Sequence, residues 1–231
     1  MSRKRSTRQP LADRMYETLF AQLMDGSRDA GEPLNIGALS RELDVSQTPL
    51  REALARLEYT GLVHRDPLRG YRVAPLFTQD ELIKLMDARL VLEPALTLEA
   101  GKRTTPEFLA ALLASIEELS EASKSADTSN FRGYWSADEE FHTLIAEQAD
   151  NPFLATAYRS LGGQVQRFRL FAELGSSDAE FAAKEHRTIY EALAAGNPQL
   201  AAERMRDHVS GAKGRSLTDR QAVDDKQDSV P

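Results

Sequence analysis

The chain has 231 residues, 41% hydrophobic and 28% charged, with a formal net charge of −7 and no cysteine. This is ordinary composition for a soluble globular protein, and the length favours two domains. The missing cysteine excludes a disulfide scaffold, thiolate metal sites and cysteine nucleophiles, and the negative total argues against indiscriminate coating of nucleic acid. No apolar run approaches the roughly 20 residues of a bilayer crossing. The basic start, MSRKRSTRQP, has no apolar stretch behind it, so neither a membrane span nor a secretory signal is expected, and a cytoplasmic location is.

Arg3, Lys4, Arg5 and Arg8 crowd the first eight positions; taken alone they read as a solvated tail. Pro10 to Asp25 predicts an amphipathic helix, with Leu11, Met15, Leu19 and Leu23 recurring every four residues. Gly26, Gly31 and Pro33 break the chain. A short helix is expected from Ile36 to Leu43, then a turn at Asp44-Val45-Ser46. A longer helix through Glu58 follows, with Leu50, Ala53, Leu54 and Leu57 as its apolar stripe. Pro49 suits its first turn and Gly61 its left-handed stop. Leu62 to Val73 reads as two short strands around a Pro/Gly turn.

From Thr78 onward every strong signal is helical. A first helix is expected over Gln79–Ala100, with Pro94 kinking it, and a second from Thr105-Pro106, carrying Leu109, Leu112, Leu113, Ile116 and Leu119. The polar patch 120–129 reads as a loop and Phe131–Gln148 as a third helix. Asn151-Pro152 opens a fourth, a capping box at Ser177-Asp-Ala-Glu180 a fifth, and Asn197-Pro198 a sixth. The polar tail lacks apolar periodicity and is expected to be disordered. The predicted organisation is therefore a domain of three helices and two short strands over 8–76, a helical domain over 77–218, and a tail over 219–231. The fold class is mainly α, a winged helix-turn-helix followed by an all-α antiparallel bundle. Charge divides along the same line. Residues 1–77 hold 12 Lys+Arg against 10 Asp+Glu, a balance of +2, and the remainder carries −9, which suggests that only the smaller part meets a polyanion.

Three helices and a two-stranded wing within about 65 residues is the plan of a winged helix-turn-helix, which presents the N-terminal side chains of its second motif helix to base edges. Here that N-terminus is Ser46-Gln47-Thr48-Pro49-Leu50-Arg51. Ser46 and Thr48 can bond phosphates. Gln47 and Arg51, four apart, share a face and suit adenine and guanine respectively. Arg69 and Gly70 fall at the wing tip, where a small residue lets the backbone approach DNA. The same spacing would also fit a plain helical hairpin with a solvated basic face. The run SQTPLREALARLEYTGLVHRDPLRGYRV resembles the signature of GntR-family bacterial transcription regulators, S-x-T-P-V-R-E-A-L-x-x-L-x-x-x-G-L-V…G-x-x-V, and that resemblance implies DNA binding. Gln47 stands where the family usually has arginine, and Gly37 lacks the basic side chain some members use there.

Of the four histidines in the chain, His142, His186 and His208 lie in the acidic part. Asp138 precedes His142 by four residues, so both share a helix face, and an antiparallel bundle can bring His186 and His208 to the same depth. One carboxylate and three imidazoles suit Zn, Ni, Mn or Fe; an Asp-x-x-x-His pair can equally be a helix-surface pair or a capped core histidine. A winged helix followed by an acidic helical domain is similar to the FadR-type subfamily of GntR regulators, many of which bind one divalent metal through D-x-x-x-H…H…H. The matching runs are ADEEFHTLI (Asp138, His142), KEHRTIYEAL (His186) and ERMRDHV (His208). The resemblance implies a divalent metal, zinc first, held by those four residues. Arg89, in MDARLVLEP, resembles the subfamily's Arg of R-x-x-x-E, which implies a grip on a small carboxylate effector; a salt bridge to Glu93 one turn along is the competing reading. Arg167 and Arg169 are weaker effector candidates.

The expected function is a ligand-responsive transcription regulator, a repressor, acting as a homodimer on a pseudo-palindromic operator and released by a small organic acid, with no enzymatic activity and no membrane partner. A metal sensor without organic effector is one alternative. A metalloenzyme using Glu139, Glu140 or Glu185 as general base is another.

Overall fold

The computed structural model describes residues 10–24, 27–67, 69–75, 77–123, 131–171 and 177–228. The chain divides into two compact units, Met1–Pro75 and Leu76–Pro231. The basic cluster at positions 3–8 lies outside the described residues, as do the side chains of Arg167 and Arg169.

In the first unit, α1 (Leu11–Met24) buries Met15, Leu19 and Leu23. Helix α2 (Ile36–Glu42) starts where Asn35 Oδ1 accepts the Ala38 N–H at 2.9 Å, an N-cap that satisfies one of the donors orphaned at a helix start. The turn into α3 (Gln47–Tyr59) passes through Asp44 at φ 50°, a left-handed conformation that a short polar side chain tolerates. Ser40 Oγ donates to the Val45 carbonyl across that turn at 2.5 Å. Helix α3 buries Pro49, Leu50, Ala53, Leu54 and Leu57 on one face, the stripe its spacing predicts, and stops at Gly61, φ 76°.

The wing is β2 (Val63–Asp66) and β3 (Gly70–Val73), antiparallel, with Val63 opposite Val73 and Asp66 opposite Gly70. A third strand that the sequence did not signal, β1 (Pro33–Leu34), pairs with the other edge of β3, giving the order β1-β3-β2. Arg72 Nε donates to Asp66 Oδ2 at 2.9 Å and its Nη1 to the Gly31 carbonyl at 3.0 Å, tying the wing to the segment before β1. Gly70 at φ 89° makes the wing turn possible, because that conformation is costly for any residue with a Cβ.

The second unit is a bundle of α4 (Gln79–Gly101), α5 (Pro106–Ser123), α6 (Phe131–Gln148), α7 (Pro152–Phe171), α8 (Ser177–Ala194) and α9 (Pro198–Asp228). Its core gathers Leu96, Leu112, Ile116, Phe141, Ile145, Ile189, Met205 and Val209. On α5 the buried apolar positions are Phe108, Leu112, Ile116, Leu119 and Ala122, with Ser115 buried among them and Leu109 and Leu113 only partly covered. Helix α5 runs four residues into the patch read as a loop. A reciprocal capping box starts α4: the Glu81 N–H donates to Thr78 Oγ1 at 3.2 Å while Glu81 Oε2 accepts the Thr78 N–H at 2.9 Å. Thr78→Ala is expected to lower the unit's stability by about 1 kcal/mol, measurable as a shift in the urea midpoint at unchanged slope.

One expectation is corrected. The polar stretch from position 219, read as a disordered tail, continues α9 as helix to Asp228. Arg220 Nε donates to the Phe77 carbonyl at 2.8 Å, and Gln221 Nε2 donates to Asp225 Oδ1 at 2.9 Å one turn on. These contacts offset the lack of an apolar face. Otherwise the fold class read from the sequence, a winged helix-turn-helix followed by a helical bundle, is the architecture observed.

Candidate metal centre and nucleic-acid interface

Inside the bundle, α6 supplies Asp138 and His142, α8 supplies His186 and α9 supplies His208. All four are buried, at 2%, 3%, 0% and 1% exposure. Each histidine offers a ring nitrogen, and the three nitrogens lie within 4.8 Å of one another. Asp138 Oδ1 is 3.7 Å from His186 Nε2, and its Oδ2 is 4.0 Å from His142 Nε2. The Phe141 ring stacks on His186 at 3.8 Å between centroids, 8° from parallel, which fixes that imidazole plane.

The donor chemistry fits a divalent cation. His142 Nε2 and His208 Nε2 are buried with no hydrogen-bond partner. Leaving a buried polar atom unmet costs about 1–3 kcal/mol, a cost that a shared cation would remove. Neutral imidazole is the form that ligates, and burial together with the neighbouring His142 holds His208 below the usual imidazole pKa against the opposing pull of Glu185.

Two guanidinium–carboxylate pairs flank the triad. Arg89 Nε donates to Glu93 Oε1 at 2.5 Å and its Nη2 to Oε2 at 3.3 Å, with both side chains buried. Glu93 Oε2 also lies 2.9 Å from His142 Nδ1. Burial pushes the Glu93 carboxyl up, but the Arg89 charge and the hydrogen bonds from His142 and Arg89 outweigh it and hold the group well below the usual carboxylate range. Of the two roles open to Arg89, the internal salt bridge is therefore present. On the other side, Glu185 Oε2 is 2.7 Å from His208 Nδ1, and Arg215 grips the same carboxylate from Nη1 and Nη2 at 2.9 and 3.0 Å.

In the first unit, Ser46, Gln47, Thr48 and Arg51 are all exposed at the start of α3, and Arg69 is exposed at the wing turn beside half-buried Gly70. Ser46 sits at the N-cap position without using its hydroxyl to cap the helix. Arg51 Nη2 donates to Gln47 Oε1 at 3.2 Å, so the two predicted base readers touch one another.

The profile described as "Bacterial regulatory proteins, gntR family" matches residues 11–73, and that of the FCD domain matches residues 84–211. The chain belongs to the GntR family. This GntR-family chain is 30% identical, over 90% of its length and 89% of the relative's, to the "Probable D-xylose utilization operon transcriptional repressor" of Paenarthrobacter nicotinovorans. It is 28% identical, over 84% and 90%, to the HTH-type transcriptional repressor GlaR of Escherichia coli strain K12. Its fold is that of a GntR regulator from Rhodococcus sp. RHA1, with a TM-score of 0.73, 23% identity and coverage of 90% and 97%. Family and relatives alike are transcription regulators. Among the described residues, no helix is long and apolar enough to cross a membrane.

Sequence reasoning singled out the residues that meet in the bundle, but it missed the carboxylates that touch the histidines. Glu93 entered only as a partner for Arg89 and Glu185 only as a possible general base. Arg215, seven residues after His208 and so on the same helix face, carried the one signal that could have found the second pair.

Proposed function

We propose that this GntR-family chain is a cytoplasmic transcriptional repressor, acting as a homodimer on a pseudo-palindromic operator and released by a small organic acid bound beside a divalent metal. Ser46 and Thr48 bond phosphates, Gln47 and Arg51 read bases, and Arg69 and Gly70 bring the wing to the backbone. Asp138, His142, His186 and His208 hold the metal, zinc first among zinc, nickel, manganese and iron. The observation that carries this reading is the burial of three imidazoles and a carboxylate around one point.

Charge supports the choice of ligand. The Arg89–Glu93 and Arg215–Glu185 pairs are each neutral, and neutral imidazoles leave Asp138 as the one charge of the ligand set. With a divalent ion held by these four residues, the buried site would carry a net positive charge, and the ion would offer a Lewis-acid partner for one carboxylate oxygen. In water-poor surroundings such a charge attracts an anion strongly. Arg89, buried and joined to His142 through Glu93, supplies the guanidinium for a second carboxylate oxygen. For the acid to act as inducer it must bind the DNA-free arrangement better than the DNA-bound one.

A second reading is favoured by one observation: the Arg89 fork is already filled by Glu93. On that reading the metal alone is the signal. Fluorescence anisotropy of duplexes selected by the protein from a random library separates the two. Release by an acid only when metal is present supports the organic-acid sensor. Release by metal alone supports the metal sensor, and release by neither overturns both. The panel must include sugars and sugar acids, given the sugar operon in the name of the Paenarthrobacter relative.

Arg51→Ala is expected to cost about 1–3 kcal/mol of discrimination at one base pair, read as a flattened column in the selected sequences. An unchanged preference would place Arg51 off the base edges.

A further inference from the structure

On α9, His208, Gly211 and Arg215 are spaced to share one face, and that face meets Glu185 of α8. Glu185 Oε2 takes the Nδ1 side of His208 at 2.7 Å, and Arg215 holds both oxygens of the same carboxylate. The Arg215 guanidinium also lies over the Phe181 ring, 5.5 Å from its centroid, so it is steadied from a second direction. Gly211 is the space in which this happens. A Cβ at that position would stand 3.0 Å from Arg215 Nη1 and 3.2 Å from Glu185 Oε1, tighter than ordinary packing. Glycine is unfavourable inside a helix relative to alanine; at Gly211 the clamp occupies the space that a Cβ would take.

We infer that Arg215, Glu185 and His208 form a positioning relay, with Gly211 as its cradle, that keeps the His208 proton on Nδ1 and so presents Nε2 to His142 and His186. The inference rests on the metal site proposed above and assigns residues outside its four ligands. A carboxylate accepting the Nδ1 proton fixes both tautomer and ring orientation and makes the opposite nitrogen a better donor to a cation. Arg215, bonded to both of its oxygens, keeps the Glu185 carboxylate aimed at His208. The relay also extends the site along α9, beyond the segment that the FCD profile covers, 84–211.

The test uses the full chain, stripped by a chelator, with zinc alone as the probe. Zinc affinity is measured by competition against a chromophoric chelator, and the His208 tautomer by side-chain 15N shifts in the metal-free state. Glu185→Gln and Arg215→Met are each expected to weaken zinc binding about 10- to 100-fold. In Glu185→Gln, His208 is expected to pass from a single Nδ1–H form to a mixture of tautomers. Gly211→Ala is expected to weaken zinc binding while the metal-free melting temperature holds or rises, a combination that damage to the fold would not produce. Wild-type affinity in Glu185→Gln, with His208 still a single Nδ1–H tautomer, overturns the relay and leaves the metal site standing. A wild-type chain that takes up no zinc, or a His208→Ala variant that binds it undiminished, overturns the metal reading itself, and the relay's role with it.

Discussion

Replacing His186 with alanine is expected to abolish tight zinc uptake and, with it, the metal-dependent part of the bundle's thermal stability. His186 is the most enclosed of the ligand set, at 0% exposure, and stacks on Phe141, so no water or alternative side chain can take its place without opening the core. Metal that binds the native state alone stabilises it by about 4 kcal/mol at a thousandfold excess over its Kd. For a unit of this size that amounts to roughly 8–16 °C in Tm. The wild-type chain should therefore melt about that much higher with zinc than with a chelator, and His186→Ala should melt at one temperature in both. Some loss in the metal-free state is also expected from the cavity left against Phe141. The comparison between zinc and chelator within each variant removes that contribution. A His186→Ala chain that still gained the full increment would take His186 out of the ligand set.

The second large effect is expected at Glu93. Arg89 is always ionised and, at 1% exposure, has Glu93 as its bidentate partner. Breaking a buried pair from one side costs about 3–5 kcal/mol because a charge is left uncompensated. Glu93→Ala should therefore lower Tm by about 10 °C in chelator, where no metal term enters. The double change Arg89→Met with Glu93→Leu should recover most of that loss, since an apolar pair of similar volume often matches a buried ion pair in stability. Near-wild-type stability in Glu93→Ala alone would mean that the pair with Glu93 is weak and that an effector carboxylate can displace it. The two positions thus also distinguish the organic-acid reading from the metal-only one.

How far the sequence reveals this molecule depends on whether a feature is local. The α6 limits, Phe131–Gln148, follow from a clean apolar period. Helices α7 and α9 begin after Asn151 and Asn197, whose side chains accept helix N–H groups at 3.2 and 3.1 Å, as an Asn-Pro start predicts. β1 has no such signature: Pro33-Leu34 is two residues long and becomes a strand only because β3 offers an edge. The end of α9 has polar composition, and one of its fixings is a hydrogen bond 143 positions back along the chain, from Arg220 to Phe77.

The candidate site divides the same way. Asp138 with His142, and Arg89 with Glu93, are legible as i, i+4 pairs. That His186 and His208 join the first pair depends on how α6, α8 and α9 pack, which no local spacing encodes; the family resemblance supplied that expectation. Glu185 is the sharpest case. It is next to His186 in the sequence, yet it serves His208, because neighbours on a helix point to different sides and α9 lies against the side that Glu185 faces.

The most direct test of the account is X-ray absorption at the metal edge on the full chain loaded with zinc and dialysed. One zinc per chain is expected, with imidazole scattering from three histidines and one carboxylate oxygen, at about 2.0–2.2 Å. The imidazole count should fall by one in His208→Ala. A chain that retains no zinc, or a spectrum of oxygen ligands without imidazole, would contradict it.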